Sequence, residues 1–136
     1  MFNVCSLEEW RYIFPYITNQ RPLLILLRGP MGVGKTTFVR EFLHYIGYKG
    51  RVKSPTFTYE ITYDSVKVSH LDLYRIKGRD TDIVYEIVDR LDDGFIVFVE
   101  WPERLMEEIS LIKKDYSVRE ISIEFADREC RTVYVE

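Results

Sequence analysis

Residues 22–37 read PLLILLRGPMGVGKTT, and the fold turns on them. From Pro22 to Leu27 the chain is almost uniformly apolar with no alternation, the pattern of a strand covered on both faces. Such a strand belongs at the centre of a sheet. Directly after it, Gly29 to Thr36 satisfies G-x-x-x-x-G-K-[ST]. From Lys35 the apolar period becomes helical, with Phe38, Val39, Phe42, Leu43 and Ile46 on one side and Gly47 as a stop. In a loop so flanked, successive backbone N–H groups converge on a phosphate while the helix N-terminus adds a favourable dipole. The residues expected to hold a nucleotide there are Gly29, Met31, Gly32, Val33, Gly34, Lys35, Thr36 and Thr37. Lys35 is placed to bridge the β- and γ-phosphates, Thr36 to ligate Mg²⁺ through its hydroxyl, and Thr37 to reach the α-phosphate. A plain glycine-rich turn that happens to carry Lys and Thr is the competing reading, and the strand–helix context weighs against it.

Working outward, SLEE at Ser6–Glu9 matches a capping box and predicts a helix of about two turns, limited by Pro15. TYEITYDSVKVSHLDLY, residues 58–74, alternates in places and breaks at Asp64-Ser65, which predicts two strands joined by a tight turn. Ile83, Val84, Ile87, Val88 and Leu91 fit a second amphipathic helix, ended by Asp93-Gly94. FIVFV is a second fully buried strand, a short helix follows over 102–109, and EISIEF and RTVYV form a terminal hairpin across residues 126–129. The expected fold is α/β, a three-layer arrangement of the P-loop NTPase kind with a mixed sheet and a C-terminal β-hairpin.

The chain has 136 residues, 46% of them apolar, enough for one core and one domain over 1–136. With a net charge of −3 there is no basic surplus to mark the whole molecule as a nucleic-acid binder. The longest apolar runs are too short to span a bilayer and the N-terminus lacks a signal-peptide pattern, so a cytoplasmic protein is expected. Cys5 and Cys130 are far apart in the chain and read as reduced structural thiols. His44 and His70 are too few and too isolated to suggest zinc.

A magnesium site also needs carboxylates. FIVFVE delivers Glu100 to the end of a buried strand, and Asp72 stands similarly at the end of KVSHLDLY. Either can hold a magnesium-bound water or orient an attacking water, so the catalytic candidates are Glu100, Asp72 and Lys35, and the metal candidates Thr36, Glu100 and Asp72. Ser54 and Thr56, flanking Pro55, suit a segment that senses the γ-phosphate. Trp101 covers the nucleotide or packs in the core. Arg75 and Arg79 reach phosphate or tRNA, or are solvated.

Four segments in order, GPMGVGKTT, KSPTFT, HLDLYR and VEWP, make the stretch from Ser6 to Pro102 resemble the bacterial TsaE (YjeE) family, the ATPase component of the tRNA threonylcarbamoyladenosine machinery. The phosphate loop alone is shared by many families, whereas the other three segments together are specific. The resemblance implies ATP and Mg²⁺ as cofactors, Thr36 and Glu100 at magnesium, Asp72 supporting the same centre, and Ser54 and Thr56 in a switch loop. It implies an ATPase of low intrinsic rate whose partners are the threonylcarbamoyl transferase TsaD and its paralogue TsaB. Hydrolysis would reset that complex between rounds of modification of adenosine 37, tRNA being met indirectly through the complex. The family usually has G-D-L-G-A-G-K-T-T, where this chain has Pro30, Met31 and Val33, and residues 77–94 match it poorly.

No N/T-K-x-D segment follows the phosphate loop, which disfavours guanine as the base. Two other functions remain open. One is a small P-loop kinase; the other is a nucleotide-gated binding module in which hydrolysis is incidental.

Overall fold

In a computed structural model of the chain, residues 1–17, 20–55, 58–76, 81–127 and 129–136 are described. Seven strands form one mixed sheet: β1 (Phe2–Val4), β2 (Leu23–Arg28), β3 (Glu60–Tyr63), β4 (Val68–Asp72), β5 (Ile96–Glu100), β6 (Val118–Phe125) and β7 (Arg131–Val135). Their spatial order is β1-β7-β6-β2-β5-β4-β3, which puts β2 in the middle. The inner pairs β6/β2, β2/β5 and β5/β4 are parallel, and the outer pairs are antiparallel. Helices α1 (Lys35–Tyr45), α2 (Thr81–Asp92) and α3 (Met106–Ile112) cover the sheet.

The two apolar runs lack alternation because both faces of the sheet are buried. Leu23, Ile25 and Leu27 of β2 and Ile96 and Phe98 of β5 join a core with Phe38, Val39 and Phe42 of α1. Leu24, Leu26, Val97 and Val99 join the opposite core with Ile83, Ile87 and Ile109 of α2 and α3. This is the three-layer fold read from the sequence. Edge-to-face rings fix α1 on the sheet: Phe14 lies 5.3 Å from Phe38 and 5.4 Å from Phe42, and Phe42 lies 5.1 Å from Phe98.

Strand parity then decides what faces α1. Counting in twos from Ile96 and Phe98 leads to Glu100, and from Val68 it leads to His70 and Asp72. The register pairs Asp72 with Glu100 across β4 and β5, so both acids end their strands side by side.

Three sequence readings are corrected. Cys5 and Cys130 are joined in a disulfide, not reduced. Strand β1 pairs with β7 up to Val4 opposite Arg131, and the next step of that ladder brings the two cysteines face to face. A sequence separation of 125 residues conceals this neighbourhood. The SLEE segment leads into 3₁₀ turns at Glu8–Tyr12 and Phe14–Tyr16 instead of an α-helix. Its bonds also differ from a capping box. The Glu9 carboxylate accepts from both the Cys5 N–H (3.2 Å) and the Ser6 hydroxyl (3.3 Å), so Ser6 caps no backbone donor. The short helix expected over 102–109 begins as a 3₁₀ turn, Pro102–Leu105, before α3.

Candidate functional site

The loop between β2 and α1 needs its glycines for distinct reasons. At Gly29, with φ +152°, a Cβ would lie 2.6 Å from the Ile123 carbonyl oxygen and 2.8 Å from Val33 Cγ1, so only glycine fits against β6. Gly34 has φ +119° at the N-cap of α1, with Trp10 packed where a side chain would extend. No side chain caps α1, and no acidic residue stands in its first turn. The helix therefore presents its first N–H groups and the positive end of its dipole to the loop.

Lys35 is buried, with 5% of its surface exposed. Its ammonium donates to the Gly29 carbonyl oxygen at 2.6 Å and sits 3.9 Å from the Trp101 ring centroid. Burial lowers its pKa, opposed by the charges of Glu100, Asp72 and Glu103. The Thr36 hydroxyl donates to Glu100 Oε2 at 3.4 Å, and the same oxygen lies 2.5 Å from His70 Nε2. Asp72 Oδ1 accepts from the Tyr74 N–H at 3.0 Å. Burial raises the Asp72 pKa, the Tyr74 bond works against that rise, and the neighbouring Glu100 charge adds to it.

Trp101 follows Glu100 with φ +57°, a left-handed conformation uncommon for a bulky side chain. It turns the chain off the sheet edge, and its ring packs 4.9 Å from Tyr74. The residues converge on a cavity of about 630 Å³, in the range of small-molecule sites. Met31, Gly32, Gly34, Lys35, Thr36, Thr37, Ser54, Asp72, Glu100 and Trp101 line it, all singled out in the sequence. Arg75 also lines it, while Arg79 lies outside the described residues. Gly29 contributes its carbonyl from behind the loop, and Val33 turns its side chain into the core at 1% exposure. Thr56 lies outside the described residues.

Sequence reasoning missed Tyr59 and Tyr74 in the lining and His70 behind Glu100. Counting strand parity through Val68, His70 and Asp72 would have found the histidine. Among the described residues no group of three or more His, Cys, Asp or Glu side chains could hold a metal ion. A hydroxyl with one or two carboxylates is instead the donor set that suits Mg²⁺ shared with phosphate oxygens, so these residues fit a magnesium-bound nucleotide.

Comparison with known proteins gives the family. A family model described as "Threonylcarbamoyl adenosine biosynthesis protein TsaE" matches residues 6–133. The chain is similar to a protein of Haemophilus influenzae named "tRNA threonylcarbamoyladenosine biosynthesis protein TsaE", 34% identical over 115 residues, 80% of this chain and 73% of that one. Proteins of the same name from Synechocystis and Aquifex aeolicus are 38% and 39% identical over 65% and 60% of this chain. The matches span 61% and 59% of those two relatives. Among solved structures, Bacillus subtilus YdiB superposes with a TM-score of 0.68 at 23% identity, covering 97% of this chain and 80% of that one, a likeness of fold.

Proposed function

The chain belongs to the TsaE family of threonylcarbamoyl adenosine biosynthesis proteins, and from that premise we propose that it is the ATP-binding and ATP-hydrolysing component of that machinery, a single ATPase domain that works in the cytoplasm. The observation that carries this reading is the Thr36–Glu100 hydrogen bond, 3.4 Å, at the edge of the sheet where Asp72 pairs with Glu100. It joins the phosphate loop to Glu100, and Asp72 lines the same cavity. The loop and α1 N-terminus would hold the triphosphate, Lys35 would bridge its β- and γ-phosphates, and Ser54 belongs to the segment that senses the γ-phosphate. Thr36, Glu100 and Asp72 would hold magnesium, directly or through water. When bound, the ion supplies Lewis-acid charge at the phosphoryl oxygens. Glu100 orients the attacking water, with Asp72 supporting the same centre, and Trp101 covers the nucleotide. Intrinsic turnover is low. The partners are the transferase TsaD and its paralogue TsaB, which hydrolysis resets between rounds, with tRNA reached through the complex.

The test is Glu100→Gln, which keeps size and hydrogen bonding but removes the charge. We expect ATP still to bind while single-turnover hydrolysis at saturating MgATP, measured with TsaD and TsaB present, falls by roughly tenfold to a thousandfold. An unchanged rate would remove Glu100 from the reaction. With tRNA added, the variant should support one round of modification; many rounds would mean that nucleotide binding alone suffices.

A further inference from the structure

His70 is fully buried on the α1 side of β4, between Phe98 of β5 and Ile61 of β3 in the ladder. Its strand neighbours on that face include Val68, Ile96 and Phe98, all apolar. An imidazole there loses its hydration, and the loss is offset only by hydrogen bonds it can make inside. It makes one: Nε2 lies 2.5 Å from Glu100 Oε2. Nδ1 has no partner among the described residues. A side chain selected for packing would be apolar, like Val68, Ile96 and Phe98 beside it. What the ring adds is the single bond to the carboxylate.

We propose that His70 is a positioning residue for Glu100, an inference that rests on the hydrolytic reading above. An ionised carboxylate only accepts, so Nε2–H donates to Oε2. The Thr36 hydroxyl meets the same oxygen from α1 at 3.4 Å. Strand β4 and helix α1 thus grip one carboxylate oxygen from two sides, which fixes the carboxylate plane at the end of β5. Without His70 the carboxylate loses one of its two holds, so substitution should reduce turnover and leave nucleotide binding intact.

The experiment compares His70→Gln, whose amide nitrogen can reproduce the Nε2 donor, with His70→Asn, whose amide is too short and mimics only Nδ1. Both are polar, so a general cost of altering the core falls on both, and thermal melts show that each is folded. Single-turnover hydrolysis and MgATP affinity are measured for each, alone and combined with Glu100→Gln. We expect His70→Asn to lose about tenfold or more in turnover with affinity within about twofold, and His70→Gln to recover most of the loss. In the Glu100→Gln background His70→Asn should cost nothing further, because it acts through that carboxylate. If Glu100→Gln slows hydrolysis but His70→Asn does not, or if the two losses multiply, the positioning role is overturned while the hydrolytic reading stands. If Glu100→Gln keeps full rate, the hydrolytic reading falls and this proposal with it.

Discussion

Replacing both Cys5 and Cys130 by serine should lower the thermal stability of the protein by an amount that follows from where the bond lies. The disulfide closes a loop of 125 residues between the first and last strands of the sheet. For a loop of that length the lost chain entropy of the unfolded state corresponds to about 5 kcal/mol, a ceiling because unfolded chains keep some structure. A chain of 136 residues has an unfolding entropy of about 290 cal/mol/K, so the ceiling in Tm is about 17 °C. The β1–β7 ladder and the bond between Cys5 N–H and Glu9 do not depend on the link, so the folded state should change little. We expect a fall of about 5–15 °C in calorimetric or circular-dichroism melts of the double variant. The wild-type protein in reductant should fall equally, and reductant should leave the variant unaffected. A difference below about 2 °C, with the thiols of the wild-type protein open to alkylation, would refute the reasoning: the cysteines would be neighbours without being bonded.

Two further outcomes are expected. Lys35→Ala should weaken MgATP binding at least tenfold, about 1.4 kcal/mol, without unfolding the protein; unchanged affinity by calorimetry would mean that the loop is no nucleotide site. Asp72→Asn should raise the Tm of the nucleotide-free protein at pH 7, and the gain should shrink as pH falls toward about 4. Burial raises the Asp72 pKa, so the folded state holds this proton more tightly than the unfolded chain, and the stability it confers is complete at low pH and lost as pH rises through the folded value. Asn keeps an acceptor for the Tyr74 N–H and carries no charge. An equal gain at both pH values, or a loss at pH 7, would contradict the assignment.

The central fold was legible because its signals are local. An apolar run flanked by a glycine-rich turn and a 3.6-residue period specifies β2, the loop and α1 with no knowledge of the rest. The break at Asp64-Ser65 likewise marked the turn between β3 and β4, and it forms with Lys67 in the left-handed region. Strand β1 was not legible: Phe2–Val4 is three residues long, and what makes it a strand is β7 at the other end of the chain. The disulfide was hidden for the same reason. At SLEE the side-chain pattern was present, but Pro15 and the pull of Trp10 and Phe14 into the core beside α1 left room only for 3₁₀ turns. In the site, motif positions indicated the loop, Asp72 and Glu100. His70 opens the segment HLDLYR and strand parity gives its face, but its contact with Glu100 depends on the β4–β5 register.

The site also explains why single substitutions within it should be read against one another. Lys35, Asp72 and Glu100 sit at the rim of the same apolar layer as Phe38 and Phe98, and burial opposes both kinds of charge there. It lowers the Lys35 pKa and raises that of Asp72, while the carboxylates hold Lys35 charged and Lys35 in turn helps hold Asp72 ionised. Lys35 and Asp72 favour each other's charge, whereas Glu100 opposes the charge on Asp72, and two carboxylates face one ammonium. The excess negative charge favours a cation beside Thr36, whereas the loop N–H groups and the α1 N-terminus favour an anion. A magnesium-bound polyphosphate carries both charges in one ligand, and would relieve both imbalances at once. Removing any one of the three therefore changes the charge balance that the other two meet, and the resulting losses belong to the set before they belong to a residue.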